Sequence, residues 1–213
     1  DRRSSGAQLD DQGIELRAAA RVREIANDNM YVSVTSFNRQ VLLTGAVGSD
    51  ADRRRVEDLV QRVDNVRSVV NELTVGPPST FQDRSNDLFI SGKVKASLLD
   101  AKDIFANSFK VVTERGVVYL MGIATRRETD RATEIARGIS GVQKVVRVVE
   151  VVSEAELASQ AQQAQRGGTG SPAPAPAPSS APGSSSSSSR VPLPPMEPLP
   201  PAQPGGATAT PVR

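Results

Sequence analysis

The stretch Asn86–Leu99, NDLFISGKVKASLL, sets large apolar side chains beside two lysines. Read as a helix, it places Ile90, Val94, Leu98 and Ala101 on one stripe at the i, i+4, i+8, i+11 spacing, enough to pack onto a sheet. Leu88, Phe89 and Leu99 then point elsewhere, roughly 100° to 180° away on a wheel of 3.6 residues per turn. Lys93 and Lys95 lie on either side of them. Outward apolar groups between two ammonium groups call for a cover, either another part of the same chain or a partner. The chemistry of such a patch is adhesive rather than covalent.

Covalent chemistry has little to work with. The chain contains no Cys and no His, which removes thiol nucleophiles, disulfides, the usual zinc sites and the usual triads together. The carboxylate pairs Asp10/Asp11, Asp50/Asp52 and Glu57/Asp58 sit at helix starts or on charged helix faces, where capping and solvation account for them. Ser91-Gly92-Lys93 invites a Ser/Lys reading, but neither a second base nor an oxyanion signature accompanies it. Gly45 and Gly122 end strands and belong to no phosphate-binding motif; close backbone packing is their expected role. Arg53–Arg55 lie beside Glu57 and Asp58 and read as a solvated face. No catalytic, cofactor or metal site is predicted.

The elements that must position the patch follow from periodicity. An extended segment is expected at 1–12, followed by an amphipathic helix from Gly13 to Ala26 on the stripe Ile14, Ala18, Val22 and Ile25. YVSVTS (31–36), the turn FNRQ and VLLTGAV (41–47) form a hairpin. Ser49 or Asp50 caps a helix over Ala51–Val63, with Val56, Leu59, Val60 and Val63 inward. VRSVVNELTV (66–75) is the last strand before Gly76-Pro77-Pro78. The same αββαβ order then returns, through helix 87–101, strands 109–114 and 117–124, helix Arg126–Arg137 and strand 142–152. Gly45 recurs as Gly122, and Val66, Val69 and Val70 recur as Val142, Val145 and Val146. The register indicates two copies of one small domain, at 13–76 and 85–152, joined by a linker at 77–84 short enough for the copies to touch.

The fold class expected is therefore α+β, two tandem units each with a three-stranded sheet and two helices. A helical extension is expected at 153–166. From 167 to 213 the chain turns to SPAPAPAPSSAPGSSSSSS and VPLPPMEPLPP, and 13 of its 15 prolines lie beyond residue 170, the composition of a disordered spacer. The repeats differ at the patch. Positions 88, 89, 95 and 99 match Gln12, Gly13, Ala19 and Arg23, polar or small where the second copy has Leu, Phe, Lys and Leu. Pure core duty would be alike in both copies, so the difference points to a functional surface on the second.

Charge gives a weaker signal. The first 76 residues carry 11 basic and 12 acidic side chains, whereas residues 77–152 carry 12 and 9. That excess is too small for a nucleic-acid footprint. No run reaches the roughly 18 apolar residues of a membrane span. The chain starts at Asp1 without an initiator Met or signal peptide, as expected of a mature or trimmed chain.

Duplicated αββαβ units with a Gly ending the second strand resemble BON domains. The resemblance is carried by DRRSSGAQLDD at the start, VLLTG (41–45), SNDLFISGKVKASLL (85–99), VVTERGVVYLMG (111–122) and ISGVQKVVRV (139–148). It covers about residues 1–152 and is closest to dual BON-domain lipoproteins of the bacterial outer membrane. It implies a non-enzymatic periplasmic protein on the inner leaflet of the outer membrane, held by an N-terminal lipid anchor absent from this chain. It also implies that the first helix of the second domain binds anionic phospholipid. The contact set would be Leu88, Phe89, Gly92, Lys93, Lys95, Ala96 and Leu99, with Phe89 standing where the family has a Trp. Such proteins support membrane integrity and cell division, with envelope or division-site proteins as further partners. A docking scaffold using the same helix, and an unrecognised hydrolase, are the alternatives. The long Pro/Ser tail departs from the family pattern.

Overall fold

The structure, a computed structural model, describes residues 1–167. The tail expected at 167–213 lies outside the described residues beyond Gly167. The first repeat comprises α1 (Ser5–Ile25), β1 (Tyr31–Phe37), β2 (Gln40–Val47), α2 (Asp50–Gln61), β3 (Ser68–Asn71) and β4 (Thr74–Val75). The second comprises α3 (Phe81–Asp100), a 3-10 turn at Ala106–Ser108, β5 (Phe109–Glu114), β6 (Val117–Ala124), α4 (Arg126–Arg137) and β7 (Lys144–Val151), and α5 (Glu154–Gly167) follows.

Both first helices begin earlier than apolar periodicity suggests. Residues 5–12 are helical rather than extended, because the Ser4 side chain accepts from the Ala7 N–H and Ala7 and Asp11 continue the inward stripe. Residues 81–84 are the first turn of α3 rather than linker. A capping box fixes that start: Asp83 N–H donates to Thr80 Oγ1 at 3.1 Å, and Thr80 N–H donates to Asp83 Oδ2 at 2.9 Å. Ala101 is the extended C-cap of α3, not part of the helix.

Each sheet has three strand positions, the outer pairing antiparallel and the crossover pairing parallel. In the first sheet the last position is interrupted at Glu72–Leu73, so β3 and β4 pair with β2 as separate strands, four in all. The Asn71 side chain takes the Leu73 N–H at 3.2 Å, and Leu73 drops into the core beneath α1 and α2.

The strands alternate between two different covers. Val41, Leu43 and Val47 face α1 and α2, while Val118, Leu120 and Ala124 face α3 and α4. The intervening Phe37 and Leu42 meet Tyr119, Met121, Ile123 and Val148 in a third apolar cluster that joins the two repeats. The layers run helix, sheet, sheet, helix. Burial on both faces explains why β2 and β6 are apolar almost without interruption. Polar links reinforce the junction: Arg67 pairs with Glu150, Lys110 with Glu15, and Arg2 with Glu128.

Candidate functional site

α3 is held in place by its inward stripe. Ile90, Val94 and Leu98 are buried against β5 and β6 and against α4. At the bottom of the stripe, a Cβ on Gly141 would stand 3.0 Å from Ile90 Cδ1, so the turn before β7 can press against the helix only as glycine, at φ +96°. Ser91 Oγ donates to Thr113 Oγ1 at 2.8 Å and pins the helix to β5.

The opposite face is open. Leu88, Phe89 and Leu99 are 75%, 65% and 66% exposed, so no other part of the described chain covers them. Gly92, Lys95 and Ala96 are also exposed. An ideal Cβ on Gly92 meets nothing within 4 Å, which leaves a notch in the middle of the face.

The two lysines are not equivalent. Lys93 Nζ donates to the Ser140 carbonyl at 2.9 Å and lies 4.7 Å from the Phe89 ring centroid. Its charge lies over the face of the ring. Lys95 has no ion-pair partner among the described residues and projects from the other flank. Ser91 and Lys93 thus bond to different partners, Thr113 and Ser140.

The sequence reading missed Phe81. It is 78% exposed and stands seven residues before Leu88, so it extends the apolar line toward the start of α3. From Phe81 to Leu99 the line runs about 27 Å at 1.5 Å per residue. Its signal in the sequence is the i−7 spacing from Leu88, masked where 77–84 reads as a linker. Beside this line runs a groove of about 410 Å³, bordered by Phe81, Arg84, Leu88 and Lys95 and on the far side by Tyr31 and Glu114. The Arg84 guanidinium donates to Ser79 O at 2.9 Å and stacks 4.9 Å from the Tyr31 ring centroid.

The matched positions of α1 remain polar or small, but α1 is not bare of apolar side chains. Leu9 and Leu16 are 71% and 74% exposed, at positions equivalent to Ser85 and Gly92. The helices differ in where they place their outward apolar groups. Only α3 combines them with an aromatic ring and lysines.

Comparison with known proteins bears on the repeats. The outer membrane lipoprotein DolP of Haemophilus influenzae is 34% identical over 148 residues, covering 68% of this chain and 77% of its own. The 21 kDa hemolysin of Actinobacillus pleuropneumoniae is 31% identical over 148 residues, covering 68% and 76%. The osmotically-inducible protein Y of Escherichia coli K12 is 29% identical over 146 residues, covering 66% and 72%. The BON domain model matches residues 15–77 and again 86–153, one match on each structural repeat. Helix for helix and strand for strand, the duplication seen in the fold is a duplication of that domain, and the chain belongs to the BON domain family.

Proposed function

We propose that the protein is a non-enzymatic component of the bacterial envelope that binds anionic phospholipid through the outward face of α3. The observation that carries this reading is the exposure of Leu88, Phe89 and Leu99 on one helix that also bears Lys93 and Lys95. The similarity to an outer membrane lipoprotein supports an envelope location; within it, the proposal sets the protein at the inner leaflet of the outer membrane, in the periplasm, with a role in membrane integrity and cell division. No helix among the described residues is long and apolar enough to cross a membrane, and the proposed contact is that of a helix lying on the surface.

The magnitudes suit a surface contact. Burying Leu88 and Phe89 contributes roughly 1.5–3 kcal/mol each. Lys93 and Lys95 near an anionic surface add about 1 kcal/mol each. Before ordering costs the total is on the order of 5–8 kcal/mol, which corresponds to micromolar to millimolar affinity. Binding of that strength is reversible alone and becomes stable beside a second membrane signal, such as a lipid anchor.

Liposome sedimentation tests the reading. Vesicles containing phosphatidylglycerol are expected to carry the protein down, and vesicles of phosphatidylcholine alone are not. Equal indifference to both would leave α3 as a docking helix for an envelope protein.

A further inference from the structure

A second concave surface lies on the first repeat, away from α3. Along α2 and its C-cap, Arg54, Arg55, Asp58, Leu59 and Arg62 recur at i, i+1, i+4, i+5 and i+8 and line one side of an open groove of about 530 Å³. Ile25, at the end of α1, lines the same groove. α1 and α2 form the outer layer of this repeat, so the groove stays open although the opposite sheet face is packed against the second repeat.

The basic side chains that line this groove carry no ion pair among the described residues, unlike several arginines around it. Arg53 reaches Asp50 at 3.8 Å, Arg39 pairs with Asp10 at 2.6 Å, and Arg67 pairs with Glu150 at 2.6 Å. Arg54, Arg55 and Arg62, by contrast, form no salt bridge among the described residues. Three guanidiniums therefore surround a groove lined by a single carboxylate, Asp58. Its apolar part is supplied by Leu59 and Ile25, both half-buried. The run Arg53–Arg55 is thus divided: one member is paired on the surface, and two face the groove.

We propose that this groove docks an acidic amphipathic helix of a partner protein. Leu59 and Ile25 would receive its apolar stripe, and Arg54, Arg55 and Arg62 its flanking carboxylates. Guanidinium forks match carboxylates in bidentate geometry, and an apolar stripe in a groove is a recurrent mode of helix recognition. Leu59 and Ile25 are recessed between exposed arginines, within reach of side chains projecting from a helix. The lining contains no aromatic ring on which nucleic-acid bases would stack. This inference does not depend on the lipid reading of α3.

Fluorescence polarisation on the full chain tests it, using a labelled helical peptide with a leucine stripe flanked by glutamates. Saturable binding is expected, weakening with salt as exposed charges are screened. A twin peptide with Gln for every Glu is expected to bind at least about tenfold more weakly. Arg54→Glu with Arg55→Glu, and separately Arg62→Glu, are each expected to weaken the acidic peptide by about tenfold or more with an unchanged thermal melt. Lys93→Glu with Lys95→Glu leaves peptide binding unchanged, and the α2 variants leave sedimentation with phosphatidylglycerol vesicles within about twofold. Failure of the acidic peptide to saturate, equal binding of the Gln twin, or undiminished binding by the α2 variants would overturn the proposal. So would loss of vesicle binding in the α2 variants with peptide binding intact, since the groove would then be a membrane face.

Discussion

Asp11 and Asp87 stand at matching positions of α1 and α3, and each clamps the hairpin turn of its own repeat. Asp11 accepts from the N–H groups of Asn38 and Arg39, both at 2.7 Å. Asp87 accepts from Arg115 N–H at 2.7 Å and Gly116 N–H at 2.9 Å. The four turn residues have positive φ, at 51°, 63°, 50° and 75°. Positive φ at both positions is the type I′ form of a two-residue hairpin loop, and three of the four residues are not glycine. The buried carboxylate offsets the strain by satisfying both turn amides and ties the first helix to the hairpin beneath it.

Asp87→Ala should therefore unlock the second repeat. Two N–H groups lose their acceptor, at about 1–3 kcal/mol for a buried group left unsatisfied. A fall of about 2–4 kcal/mol in unfolding free energy by urea titration is expected. Asp11→Ala should cost at least as much, since Asp11 also accepts from Ser36 and Arg3. Burial pushes the Asp11 carboxyl up, but those bonds together hold it below the usual carboxylate range.

Phe89→Ala is expected to separate binding from stability. The ring is outside the core, so the melt should change by the equivalent of under about 1 kcal/mol, against roughly 2–5 kcal/mol for Ile90→Ala. Affinity for phosphatidylglycerol vesicles should fall by about ten- to a hundredfold. Phe89→Trp should bind as well or better, because indole favours the interface. A collapsed melt with normal binding by the remaining folded protein would place Phe89 in the core.

Acid should loosen the junction between the repeats. The Arg2 guanidinium donates to both oxygens of Glu128, at 2.7 and 2.8 Å. That pairing, with help from Thr125 and against the upward push of burial, holds the Glu128 carboxyl down at about 2. A depressed carboxylate stabilises fully above its unfolded value and loses that contribution as pH falls toward its folded one. Urea titrations should show a loss on the order of 2 kcal/mol between about pH 4.5 and pH 2. Arg2→Ala should lower stability at neutral pH and flatten that acid limb.

The glycines should divide sharply. A Cβ on Gly122 would stand 2.3 Å from Ser108 O, and one on Gly45 would stand 2.0 Å from Tyr31 O. Either Gly→Ala change is expected to cost more than about 3 kcal/mol, because a backbone atom must move. Gly92→Ala, in open space within α3, should instead stabilise by about 0.5–1 kcal/mol. Calorimetric melts of the three variants would check this order.

The sequence by itself determined the elements whose signals are local. β5 and β6 are bounded by the Arg115-Gly116 turn, and α4 is started by the Thr125–Glu128 capping box; all three fall at the positions that periodicity predicts. The inward stripe of α3 was equally legible, because Ile90, Val94 and Leu98 repeat at a helical period whatever lies beneath them. The true starts of α1 and α3 were obscured by polar residues on the buried face. Asp11 and Asp87 break the apolar pattern, and their reason for being buried is a turn 27 to 29 residues away. The site was legible as a set of outward residues, short of Phe81.

Only the tertiary structure decided what each face meets. Leu42 and Met121 read like any other strand residues, yet they join one cluster because the two sheets stack. Lys93 and Lys95 look alike two residues apart, and folding ties one to Ser140 while leaving the other exposed. Arg54 and Arg55 read as a solvated face, and the fold sets them in one groove with Arg62 and with Ile25 of α1. Periodicity reports which side of an element is apolar, but the partner on that side is set by packing between segments distant in the chain. Arg2 and Glu128, 126 residues apart, meet only because every intervening element has been placed.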